Sequence, residues 1–205
     1  MRIPDEYLQR ARGLLADGQR HILGLVGAPG AGKSTVAEAL CEALGEQAVV
    51  VPMDGYHLAN RELARLGRSS RKGAPDTFDA GGFAALLARI RSAAPDEIVY
   101  APEFRREIEE PIANAIPVLP GARLIITEGN YLLLGNAPWP RVRAQMDECW
   151  YVDVPQELRI ERLVARHRQF GRDEAAARAW VDSVDEPNAR SIEATRDAAD
   201  LIFRW

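Results

Sequence analysis

The stretch Gly27-Ala28-Pro29-Gly30-Ala31-Gly32-Lys33-Ser34 constrains the fold more than any other part of the chain, because of its neighbours. It follows the apolar run His21-Ile22-Leu23-Gly24-Leu25-Val26 and opens a segment, 34–44, with the helical period. A glycine-rich turn between a strand and a helix lets successive backbone N–H groups converge on phosphate oxygens, in the positive field of the helix start. On this reading residues 27–35 cradle a nucleotide. Gly27, Ala28, Pro29, Gly30, Ala31 and Gly32 supply the backbone, and Lys33 reaches the β- and γ-phosphates. Ser34 offers its hydroxyl to Mg²⁺, and Thr35 supports the first helical turn or a phosphate. A merely structural turn would need neither the lysine nor the hydroxyl. Lys33 also stands out from its background, since every other cation except Lys72 is an arginine.

Residues 48–51 form a β-branched run ending at Pro52, so the chain reads strand, turn, helix, strand, which predicts a βαβ unit and a parallel sheet. The fold class is α/β, a three-layer nucleotide-binding architecture. A helical pattern precedes it over 5–19. Farther on, 83–90 reads as helix, 97–100 and 116–119 as short strands, 124–127 as an apolar strand closed by Glu128, and 149–154 as another strand. Helical patterns run from Pro155 and again after Gly171 to about residue 184, and 201–205 could close the sheet. The polar segment 67–77 reads as a mobile loop.

A length of 205 residues fits one domain, 1–205, with at most a small lid over about 159–186. The net charge of −4 argues against nucleic acid or an anionic membrane as general partners. No signal peptide or long apolar span is visible, so the cytoplasm is the expected compartment, and a homodimer remains open. Cys41 and Cys149 lack metal-ligand spacing and read as reduced thiols.

A phosphate cradle alone does not make a kinase. Phosphoryl transfer also needs a group to orient and deprotonate the attacking hydroxyl, a carboxylate for the metal, and cations for the transferring charge. Asp54 follows the second strand, whose C-terminal end should open beside the cradle, and is the candidate general base. Tyr56 and His57 offer stacking and hydrogen bonds to a small hydroxyl-bearing acceptor. Glu128 ends an apolar strand as a metal-orienting carboxylate would. Arg159, Arg162 and Arg166 share a helix face, and Arg166 and Arg172 could reach the nucleotide from a lid. No guanine-reading Asn/Thr-Lys-x-Asp motif is present, since Lys72 is followed by Gly73-Ala74-Pro75. Asp79-Ala80-Gly81-Gly82 fits the loose switch pattern but reads as a helix cap.

Four segments occur in order: the phosphate loop, Met53-Asp54-Gly55-Tyr56-His57, residues 71–79 and Thr127-Glu128-Gly129-Asn130-Tyr131. With them the chain resembles the phosphoribulokinase, uridine kinase and pantothenate kinase family. It is most similar to short bacterial members described as nucleoside/nucleotide kinase-like proteins or fructose transport system kinases, which share Asp185-Glu186-Pro187-Asn188. The resemblance implies a P-loop kinase fold with a five-stranded parallel sheet and a lid, ATP and Mg²⁺ as donor and metal, and Asp54 as catalytic aspartate. It also implies that Tyr56, His57 and Asp79 lie near the acceptor. Relatives often carry Pro-x-Tyr/Phe-Asp-Arg where this chain has Pro102-Glu103-Phe104-Arg105-Arg106. Arg105 and Arg106 are thus candidate acceptor residues, and the extra positive charge of Arg105, in the aspartate's place, would suit an acidic or phosphorylated substrate. A regulatory ATPase and a binding module without turnover are the competing readings.

Overall fold

A computed structural model describes residues 1–204. The chain runs α1 (Asp5–Gly13), β1 (His21–Val26), α2 (Lys33–Leu44), β2 (Ala48–Val50), α3 (Asn60–Arg65) and α4 (Ala80–Ser92). It continues through β3 (Val99–Arg105), β4 (Glu110–Val118), β5 (Leu124–Gly129), α5 (Trp139–Arg143) and β6 (Glu148–Asp153). The last part is α6 (Gln156–Gln169), α7 (Glu174–Trp180), a π-helical turn (Val181–Asp185), α8 (Glu186–Glu193) and β7 (Leu201–Arg204).

Five strands form one parallel sheet in the order β2-β5-β1-β6-β7. Its central strand β1 is buried almost throughout, which explains why His21–Val26 is an unbroken apolar run rather than an alternating one. Successive side chains of β1 go to opposite faces. Ile22 and Val26 join Phe83 and Leu87 of α4 on one side, while Leu23 and Leu25 join Val36 and Leu40 of α2 on the other. These two cores make three layers. Among the described residues no helix is long and apolar enough to cross a membrane.

Several sequence expectations change in detail. The short strands at 97–100 and 116–119 are the outer ends of a longer antiparallel hairpin, β3–β4, which stands apart from the parallel sheet. Pro102, Pro111 and Pro117 together with its charged tip hide the alternation that marks a strand. α1 ends at Gly13 rather than near residue 19, and the next residues continue as turns. Helical structure does not end near residue 184 but passes through the π-turn into α8, with Pro187 in the first turn of that helix. The segment 67–77 is fastened: Thr77 Oγ1 bonds Gly73 N and Ala74 O, and Tyr131 Oη donates to Gly73 O at 2.5 Å. β7 closes one edge of the sheet; Trp205 lies outside the described residues.

Candidate active site

The C-terminal ends of β1, β2 and β5 open on a cleft of about 710 Å³, walled also by the hairpin end and by α6 to α8. The loop after β1 brings Pro29, Gly30, Gly32, Lys33, Ser34 and Thr35 to its floor. Gly30 takes φ +82°, and a Cβ there would come within 2.6 Å of the Arg159 carbonyl oxygen, so α6 rests directly on glycine backbone. Gly27 gives its carbonyl to Lys33, whereas Ala28 and Ala31 face a smaller cavity beside Asp153 and Arg196.

Lys33 is buried, and its ammonium donates to Gly27 O at 2.9 Å and Asn130 Oδ1 at 2.7 Å. Burial lowers its pKa to about 8, against the favourable charges of Glu128 and Asp54. Ser34 Oγ donates to Glu128 Oε1 at 3.1 Å. Glu128 is itself buried, and burial, with Asp54 nearby, raises its pKa. Among the described residues no cluster of three or more His, Cys, Asp or Glu could hold a metal alone. The Ser34–Glu128 oxygen pair suits Mg²⁺, which takes one or two protein oxygens and completes its shell with phosphates and water.

Asp54 lies in the 3₁₀ turn Met53–Tyr56 that follows β2. A Cβ on Gly55 would lie 2.4 Å from Pro102 O, so this glycine allows the turn to press against the hairpin. Arg106 Nη2 donates to Asp54 Oδ2 at 3.3 Å. His57 Nδ1 is 2.7 Å from the Asp54 carbonyl oxygen, and its ring lies 4.1 Å from that of Phe78 and 4.4 Å from that of Phe104. Burial depresses the His57 pKa.

The other predicted residues divide. Arg166 lines the cleft, and its pKa is lowered first by burial and then by Arg106, with Asp185, Asp54 and Glu128 opposing. Arg172 also lines it, its guanidinium 3.8 Å from the centre of the Trp180 ring. Arg159 is buried, paired with Glu186 and bonded to Pro29 O at 3.3 Å, and so ties α6 to α8 and to the phosphate loop. Tyr56, Asp79 and Arg105 are absent from the cleft wall. Tyr56 packs on Phe83 at 5.2 Å, with its pKa pushed up to about 12 by burial. Asp79 caps α4 through Gly82 N at 2.8 Å. Arg105 pairs with Glu103 at 2.6 Å, two residues away on the same face of β3. The positive charge beside Asp54 is that of Arg106.

Sequence reasoning assigns no individual role to Asn130, Lys72, Phe104, Trp180, Asp185 or Asn188, all of which line the cleft. Asn130 could have been found, since it follows the strand-end Glu128 by two residues. Asp185 holds His167 at 2.8 Å from the end of the π-turn, a contact that no sequence period signals.

The profile of the "Phosphoribulokinase / Uridine kinase family" matches residues 22–205. A Schizosaccharomyces pombe protein named "Putative uridine kinase C227.14" is 37% identical over 207 residues, covering 97% of this chain and 82% of its own. A pantothenate kinase of Mesorhizobium japonicum is 30% identical over 215 residues, covering 89% of this chain and 67% of its own. The crystal structure of a "putative fructose transport system kinase" from Silicibacter sp. TM1040 is 40% identical and superposes with a TM-score of 0.86, over 96% of this chain and 98% of that one.

Proposed function

The chain belongs to the phosphoribulokinase/uridine kinase family of ATP-dependent kinases, and on that premise we propose that it transfers the γ-phosphate of ATP to a hydroxyl of a small metabolite, with Asp54 as general base. One observation carries this reading: Asp54 and the Lys33–Ser34–Glu128 group, delivered by the ends of three strands, line one cleft. In the step, the acceptor hydroxyl gives its proton to the Asp54 carboxylate while its oxygen bonds the γ-phosphorus. The bond from that phosphorus to the β–γ bridging oxygen breaks, and ADP leaves.

Lys33 draws the β- and γ-phosphates into line. Ser34 and Glu128 would hold Mg²⁺, which when bound neutralises charge on those phosphates. Residues 159–186 act as the lid, from which Arg166 and Arg172 meet the charge on the transferring group. His57 and Arg106 border the acceptor.

The test is an ATP-consumption screen over sugars, nucleosides, pantothenate and phosphorylated sugars, with each product confirmed by mass. Phosphorylated product that depends on the acceptor is the expected result. Equal ATP hydrolysis across the panel, with no phosphorylated product, would replace the kinase by a regulatory ATPase.

In this reading Asp79 caps a helix and does not touch the acceptor. Asp79→Ala should therefore cost about 1 kcal/mol in urea unfolding while the acceptor KM stays within about twofold of wild type. A large rise in that KM at unchanged stability would return Asp79 to the pocket.

A further inference from the structure

The wall of the cleft beside Asp54 and His57 carries two cations on one aromatic ring. Lys72 Nζ lies 5.1 Å from the Phe104 ring centroid and the Arg106 guanidinium carbon 5.9 Å from it. Phe104 is also the ring stacked on His57, whose own backbone turn contains Asp54. Lys72 is the only lysine outside the phosphate loop, and its side chain is 18% exposed. It is held mainly by neutral oxygens, Asn60 Oδ1 at 2.7 Å and the Glu109 carbonyl, with the Glu109 carboxylate farther off at 3.7 Å. Arg106 reaches Asp54 with a single contact of 3.3 Å. Both charge contacts exceed the 2.7–2.9 Å typical of a committed ion pair. Two cations are thus fixed in place with their charge only partly met, next to the proposed base.

We infer that Lys72 and Arg106 bind an anionic group of the acceptor, so that the substrate is a hydroxyl metabolite carrying a carboxylate or a phosphate monoester. This rests on the kinase reading above and adds the class of acceptor to it. The geometry assigns the anion to the hairpin and the 67–77 segment. Neutral oxygens fix the Lys72 ammonium without cancelling its charge, which costs free energy in a partly buried wall unless an anion arrives. Arg106 then has two duties, one N–H on Asp54 and others for the acceptor, which fixes the distance between the anion and the reacting hydroxyl. Phe104 supplies apolar surface beside them.

The test uses matched acceptors of three, five and six carbons: the polyol or aldose, the corresponding sugar acid, and the phosphate monoester, each assayed for phosphorylated product at low salt. At least one anionic member should exceed its neutral partner in kcat/KM by about tenfold or more, the worth of one or two charge-assisted hydrogen bonds. The better of the acid and phosphate arms identifies the anion. Lys72→Gln should bring the charged and neutral members of that series to within about threefold, by raising the acceptor KM while the ATP KM and kcat hold, and Lys72→Arg should restore part of the preference. Added salt should raise the anionic acceptor's KM.

Neutral acceptors turned over as well as charged ones would overturn the inference and leave the kinase reading standing. So would a Lys72→Gln defect that appears in the ATP KM. Absence of transfer to every member, with or without ATP hydrolysis, overturns both.

Discussion

Asp54→Asn is expected to lower kcat by about two to four orders of magnitude, the usual contribution of a positioned general base, while the ATP KM stays within about twofold. The substitution keeps the size of the side chain and an oxygen for Arg106, so loss of turnover would report the carboxylate rather than a collapsed wall. The half-buried position of Asp54 in a turn makes a fold defect small, and matched melting curves would verify that. Single-turnover measurements with ATP and a confirmed acceptor are decisive. Turnover like that of wild type would remove Asp54 as base and shift attention to His57, whose ring lies in the same wall.

Lys33→Ala should act differently, weakening ATP binding by about tenfold or more and lowering kcat/KM by about two to three orders of magnitude. The reason lies in its burial. A lysine taken out of water and held by Gly27 O and Asn130 Oδ1 acts in a low dielectric, where its charge on the phosphates counts for more than it would at a surface. Lys33→Arg should not rescue it, because a planar fork cannot take the place of a compact ammonium among those oxygens. Titration calorimetry with ATP separates the binding loss from the rate loss. An unchanged ATP affinity in Lys33→Ala would contradict the role assigned to the loop. Together the two variants distinguish the halves of the proposed site, in which Asp54 would serve the acceptor and Lys33 the donor.

How much of this was legible in the chain depended on distance along it. The phosphate loop is eight consecutive residues between a strand and a helix, so its chemistry and its fold context are both local. The family implied by four ordered segments is the one whose profile matches residues 22–205. Glu128 was legible because a carboxylate ending an apolar strand is unusual. Asn130, two residues on, belongs to a quoted segment but has no assigned role, because its purpose is visible only when Lys33, 97 residues away, is seen to donate to it.

The hairpin shows the limit most clearly. Arg105 and Arg106 are adjacent and chemically the same, and sequence reasoning places both at the acceptor, with Arg105 as the extra charge. Arg105 ends β3 on the same face as Glu103 and pairs with it, whereas Arg106, the next residue, turns toward Asp54. A one-residue difference in register separates a surface ion pair from a cleft residue, and prolines along both strands mask the alternation that would have set it. The arginines of α6 divide in the same way. A helical period places Arg159, Arg162 and Arg166 on one face, but only packing reveals that Arg159 is consumed by Glu186 and Pro29 O while Arg166 borders the cleft.

The sequence by itself determined the kinase family and a phosphate loop at a strand-to-helix turn in an α/β sheet, because that motif depends on glycine freedom, one lysine and one hydroxyl in consecutive positions. Only the tertiary structure decided which distant side chains share the cleft. Asp54 beside Arg106, Lys72 beside Phe104 and Asp185 beside His167 are brought together by strand order, hairpin register and a π-turn, and those depend on how layers pack rather than on any local period.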